Sequence, residues 1–159
     1  MAISFEPIGL VRTPFTEQAG MPIQPAAAKG IEGTIEVKKE LTEGLKDLDG
    51  FSHVILIYHL HRSEGYSLRP VPFLDSQPRG LFSTRSPKRP NPIGMSVVRL
   101  QSIEENVMHV ENVDILDGTP LLDIKPYVPE FDAQEEIRTG WLEGVREKIP
   151  GRRSDDRFV

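Results

Sequence analysis

The run HVILIYHLH, from His53 to His61, contains the longest uninterrupted apolar stretch of the chain, Val54 to Tyr58. Val, Ile, Leu and Tyr in close succession fit a pleated, buried surface, so the run is expected to be a strand. It falls far short of the about 20 apolar residues that a membrane-spanning helix requires. Outward from it, further strands are expected at Phe5 to Arg12, Gly33 to Val37, Gly80 to Thr84, Ser96 to Ile103, Val107 to Asp114 and Leu121 to Lys125. Fourteen prolines and 13 glycines interrupt every long helix but one. Seven short strands predict a mainly β domain, a barrel or a sandwich, with one helical turn over Glu43 to Leu48. No amphipathic helices alternate with the strands, which argues against a doubly wound fold.

The exception is Ala133 to Ile149, where Ile137, Trp141, Val145 and Ile149 recur every fourth residue behind Asp132 as an N-cap. A helix is expected there, docked on the barrel or on a second subunit. Residues 151–159 read as a mobile tail. The chain of 159 residues is the size of one domain, divided here into residues 1–132 and a C-terminal helix and tail over 133–159. It has no cysteine, which excludes disulfides, thiol nucleophiles and cysteine zinc sites. With Glu6, Pro7 and Arg12 interrupting the N-terminal stretch, no export signal is expected, and a soluble cytoplasmic protein is the reading.

Net charge is −5, yet Ser76 to Ile103 carries Arg79, Arg85, Lys88, Arg89 and Arg99 and no acid. Outside that island 14 basic residues face 24 acidic ones, a formal balance of −10. Such segregation suits local binding of a phosphate backbone, with Lys88 and Arg89 as RNA-binding candidates, or else a solvated loop of ordinary ion pairs. Within the island, FSTRSPKRPNPIG (Phe82 to Gly94) has three prolines that stiffen the backbone and lower the entropy cost of a preformed ligand site.

In DILDGTPLLDIKPY (Asp114 to Tyr127), Asp117-Gly118 is a turn signal between two strand-like runs. Asp123, Lys125 and Tyr127 alternate, so an extended segment puts a carboxylate, an ammonium and a phenol on one face. His53, His59 and His61 likewise share a face of their strand, but no acid accompanies them and no metal site is expected. His109 reads as structural. The signatures of Rossmann dinucleotide sites, P-loops, zincins and serine hydrolases are all missing from the sequence.

PIGLVRTPF (Pro7 to Phe15), MPIQP (Met21 to Pro25), GFSHVILIYHLH (Gly50 to His61), RGLFSTRSPKRPNPIGMS (Arg79 to Ser96) and DILDGTPLLDIKPY occur in that order. Together they resemble the TsaA/TrmO family of S-adenosylmethionine-dependent tRNA N6-methyltransferases. The resemblance implies a small antiparallel TsaA-like β-barrel that forms a homodimer, with S-adenosyl-L-methionine bound near the subunit interface. It assigns cofactor contacts to Pro22, Ile23 and Gln24, to Leu60 and His61, to Arg85, to Met95, and to Leu116, Asp117, Gly118 and Thr119. The reaction it implies is methylation of N6 of threonylcarbamoyladenosine at position 37, in the anticodon loop of a tRNA.

The donor methyl is already activated, so the protein's task is alignment and removal of the amine proton. Asp123 or Tyr127 is the expected proton acceptor, with Lys125 keeping Asp123 ionised or anchoring a substrate carboxylate. Phe82, Tyr58 and Tyr66 are candidates for stacking on a splayed base, core packing being the competing role for Phe82 and Tyr58. The rival readings are a non-catalytic S-adenosylmethionine sensor and a methyltransferase for a small-molecule or protein acceptor.

Overall fold

A computed structural model describes residues 1–22 and 27–145. Among the described residues six strands form: β1 (Gly9–Arg12), β2 (Glu32–Val37), β3 (His53–His59), β4 (Ile93–Glu104), β5 (Val107–Glu111) and β6 (Thr119–Pro126). Their order is β1-β2-β5-β4-β3-β6, every pairing is antiparallel, and β6 pairs back onto β1 to close the barrel. Alternation along each strand sends one set of side chains inward. Ile35 and Val37, Val54 and Leu56, Val98 and Leu100, and Met108 and Val110 are buried together in one core. Leu45 and Leu48, delivered by 3-10 turns at Lys39–Leu45 and Leu48–Gly50, join that core.

The 12-residue β4 serves two neighbours. Ile93 to Arg99 pairs with β3, and Arg99 to Glu104 with β5, with a register shift between Leu100 and Ser102. A bulge of this kind bends a strand and re-aims it, as closure of a barrel requires. A second shift lies between Ile57 and Tyr58 where β3 meets β6.

Three sequence expectations need correction. Gly80 to Thr84 is not a strand but a 3-10 turn at Leu81–Ser83. Ser83 Oγ bonds back to the Gly80 carbonyl at 2.7 Å and Thr84 Oγ1 to that of Leu81 at 2.7 Å, curling the chain rather than extending it. The barrel therefore has six strands, not seven. Ala133 to Ile149 is not one helix either: α1 spans only Pro129–Asp132, and a 3-10 turn follows at Gly140–Gly144. Glu136 at φ +54° and Gly140 at φ +55° sit in the left-handed region, which ends right-handed helix. Asp132 does not cap a following helix; its carboxylate accepts the Val128 N–H at 2.8 Å in front of α1. The expected helix end, residues 146–149, and the expected tail, 151–159, lie outside the described residues. Among the described residues no helix is long and apolar enough to cross a membrane.

Candidate ligand cavity at one end of the barrel

The chain between β3 and β4, the stretch leading to Pro22, the turn before β6, and Trp141 with Leu142 enclose a cavity of about 720 Å³. That size falls within the roughly 300–1,000 Å³ typical of small-molecule sites. The proline-rich loop forms one wall. Its stiffness comes from more than the prolines: Arg89 donates to the carbonyls of Thr84 and Ser86 at 2.9 and 3.1 Å, and Ser63 Oγ donates to that of Pro87 at 2.9 Å. Arg89 also lies over the Phe82 ring at 5.9 Å. Ser86 is buried and lines the cavity, and its hydroxyl has no hydrogen-bond partner among the described residues. A polar atom left unpaired in a native interior calls for a ligand or a water.

Across from this loop, Tyr58 of β3 and Asp114 line the cavity through a buried hydrogen-bonded chain. Ser96 Oγ donates to Asp114 Oδ1 at 2.6 Å, which leaves Tyr58 Oη as the donor in its 2.8 Å contact with Ser96 Oγ. Burial pushes the Asp114 carboxyl up to about 7, against the opposing pull of the Ser96 hydrogen bond and the Arg85 guanidinium. Burial, reinforced by the neighbouring Asp114, also drives the Tyr58 phenol above its ordinary range, so it stays protonated. The ring of Tyr58 packs against Gly94 of β4, where any Cβ would overlap it. His61 is held below the usual histidine range, first by burial and then by His59 and Arg62.

The turn before β6 is tied to the end of β1. Asp117 Oδ1 accepts the Thr13 N–H at 3.1 Å, Thr13 Oγ1 donates to the Ile115 carbonyl at 2.6 Å, and Arg12 lies 4.0 Å from Asp117. Gly118 takes φ +78°, a conformation glycine adopts without cost.

Of the residues singled out from sequence, Pro22, Leu60, His61, Arg85, Arg89, Met95, Leu116 and Thr119 line the cavity, as do Tyr58 and Phe82. Asp117 and Gly118 do not; they shape the turn that presents Leu116 and Thr119. Ile23 and Gln24 lie outside the described residues. Lys88 is on the same loop but not in the lining, and neither is Tyr66. Asp123, Lys125 and Tyr127 share one side of β6 and its end, as alternation predicts, with Lys125 Nζ 3.0 Å from Asp123. Tyr127 meets His53 edge to face at 6.4 Å. None of the three lines this cavity. The basic island is divided: Arg79 pairs with Asp75 at 2.6 Å, and Arg99 lies along β4 opposite His53 and Glu111. His53 and His59 are in β3 while His61 lies past its end, and among the described residues no group of three or more metal-ligating side chains assembles.

Sequence reasoning passed over Asp114 and Ser96, and it gave Trp141 only a place in a helix stripe. For Asp114 there was a signal, a lone acid between Val113 and Ile115, both buried.

The family described as tRNA-methyltransferase O N-terminal domain matches residues 10–133. The chain is 54% identical over 158 residues to a protein of Pyrococcus abyssi named probable S-adenosyl-L-methionine-binding protein, covering 99% of this chain and 86% of that one. It is 33% identical over 139 residues to the tRNA (adenine(37)-N6)-methyltransferase of Mus musculus, covering 83% of this chain but only 32% of the mouse protein. The crystal structure of TrmO from Pseudomonas aeruginosa superposes with a TM-score of 0.74 at 39% identity, covering 89% of this chain and 63% of that one. Sequence match, barrel and superposition agree, and the chain belongs to the tRNA-methyltransferase O N-terminal domain family.

Proposed function

We propose that the cavity holds S-adenosyl-L-methionine and that the protein is a methyltransferase acting on N6 of threonylcarbamoyladenosine at position 37 of a tRNA. The observation that carries this reading is convergence: Pro22, Leu60, His61, Arg85, Met95, Leu116 and Thr119, from four separate segments of sequence, line one cavity. Its lining also fits the cofactor's chemistry. Leu60, Ile115 and Leu116 offer apolar wall, Arg85 a partner for a carboxylate, Ser86 an unpaired hydroxyl, and Asp114 an acid for a cation. Bound there, the cofactor supplies a methyl group activated by positive sulfur.

The remaining work belongs to the chain. Arg85 orients the donor's amino-acid end, and the braced loop of Thr84 to Arg89 excludes water. Lys88 and Arg89 meet tRNA phosphates. Asp123 or Tyr127 takes the proton leaving N6, with Lys125 Nζ held 3.0 Å from the Asp123 carboxylate. These groups would reach a cavity mouth in a homodimer. The outward faces of β3 and β4 carry Ile55, Ile57, Val97 and Met95 as facing pairs, and Asp123 and Lys125 of β6 lie opposite Ile57 and Ile55. An apolar patch on a barrel exterior is a natural surface for a second copy.

Incubating the protein with methyl-labelled cofactor and unfractionated tRNA, followed by digestion to nucleosides, tests the reading. Label is expected in an N6-methylated hypermodified adenosine. Cofactor binding by calorimetry with no labelled nucleoside would favour a binding protein without catalysis, the alternative that the name of the Pyrococcus relative supports.

A further inference from the structure

The family match ends at residue 133, yet the cavity does not. Beyond α1 the chain runs to the 3-10 turn at Gly140–Gly144, which places Trp141 and Leu142 in the lining. Trp141 is anchored from two directions. Its indole N–H donates to the Ser83 carbonyl at 2.9 Å, tying it to the rim of the proline-rich loop. The Arg79 guanidinium lies over its ring at 5.8 Å. Arg79 is itself fixed: its side chain bonds Asp75 at 2.6 Å, and its backbone N–H bonds the Pro70 carbonyl at 2.9 Å. Asp75 in turn accepts the Ser76 N–H at 2.7 Å.

Trp141 lines the cavity and Arg79 does not, so the cation backs the ring from outside the cavity. A guanidinium on one face draws π density toward itself. The opposite face is then poorly suited to a second cation, such as a sulfonium or an ammonium, and well suited to an electron-rich planar ring. We propose that Trp141 is a positioning residue whose free face stacks on a purine, so that the segment after the family domain completes the binding site. This rests on the function proposed above, in which both the cofactor and the target nucleoside present a purine.

Trp141 is the sole tryptophan of the chain, so tryptophan emission reports on this one site. Titration with S-adenosylhomocysteine, and separately with an anticodon stem-loop RNA carrying adenosine at position 37, distinguishes the two sources of the purine. Quenching that tracks the calorimetric isotherm in either titration supports the proposal and names the source. Binding heat with unchanged emission in both overturns it while leaving the proposed function standing. No binding of either ligand removes both. Trp141→Ala should weaken the quenching ligand about 5- to 150-fold, the range that loss of one base–aromatic stack produces. Trp141→Phe should restore most of that affinity and Trp141→Leu should not. Wild-type affinity in Trp141→Ala, or equal rescue by Leu and Phe, overturns the stacking role. Trp141 lies outside the barrel core, so all three variants should unfold at nearly the wild-type temperature.

Discussion

Asp114→Asn is the substitution whose effect the structure constrains most tightly. The Asp114 carboxyl is buried, bonded to Ser96 Oγ at 2.6 Å, and raised from 3.8 to about 7. Folding therefore holds a proton that the unfolded chain releases above about pH 4, and the sign follows from that. Stability from this group is fully present below the unfolded value, declines as pH rises from about 4 to 7, and is lost above the folded value. A rise of about three units at 1.36 kcal/mol each amounts to about 4 kcal/mol between the two ends of that window. Asparagine still accepts the Ser96 hydrogen bond and carries no charge. Thermal unfolding followed by circular dichroism from pH 4 to 8 should give equal Tm values for the two proteins near pH 4. By pH 8 the variant should lie about 10 °C higher, taking 2–4 °C per kcal/mol for a chain of this size. The two proteins differ in this one group, so the difference curve isolates Asp114. Parallel curves across the whole range would refute the reasoning.

Gly94→Ala forces a Cβ into the buried Tyr58 ring and should cost about 1–3 kcal/mol, the usual penalty of overpacking, read as a lower denaturant midpoint. Ser86→Ala removes a buried hydroxyl that has no partner among the described residues, so chemical denaturation should show unchanged or slightly increased stability while calorimetry shows weaker cofactor binding. Lys88→Ala should weaken tRNA binding at every salt concentration and reduce the slope of log affinity against log salt by about 1. Arg89→Ala also removes the bonds to the Thr84 and Ser86 carbonyls, so its loss of tRNA affinity should be accompanied by weaker cofactor binding.

What could be read from sequence is what depends on local pattern. Alternation through Val54, Leu56 and Tyr58, and through Met108 and Val110, picks out the inward face because a strand's period is two. The family segments identified most of the cavity wall. Gly80 to Thr84 misled because its hydroxyls reach backbone carbonyls three residues earlier, a competitor that hydropathy does not register. The stripe of Ile137, Trp141 and Val145 has helical spacing, but Trp141 gains its partner 58 residues upstream, at Ser83. Asp114 and Ser96 are 18 positions apart in sequence. Such relationships become visible only once β3, β4 and the turn before β6 are in register.

The seam between β1 and β6 joins Gly9 to Leu121, and the same turn that leads into it supplies Leu116 and Thr119 to the cavity wall. Zipping partners so distant along the polypeptide is slow, because the intervening loop must first give up its freedom. A nascent chain emerging from the ribosome therefore has no complete pocket until its sixth strand arrives. Shutting the ring and building most of the pocket wall coincide, and a small molecule bound to that wall would act as a clasp on the closed form.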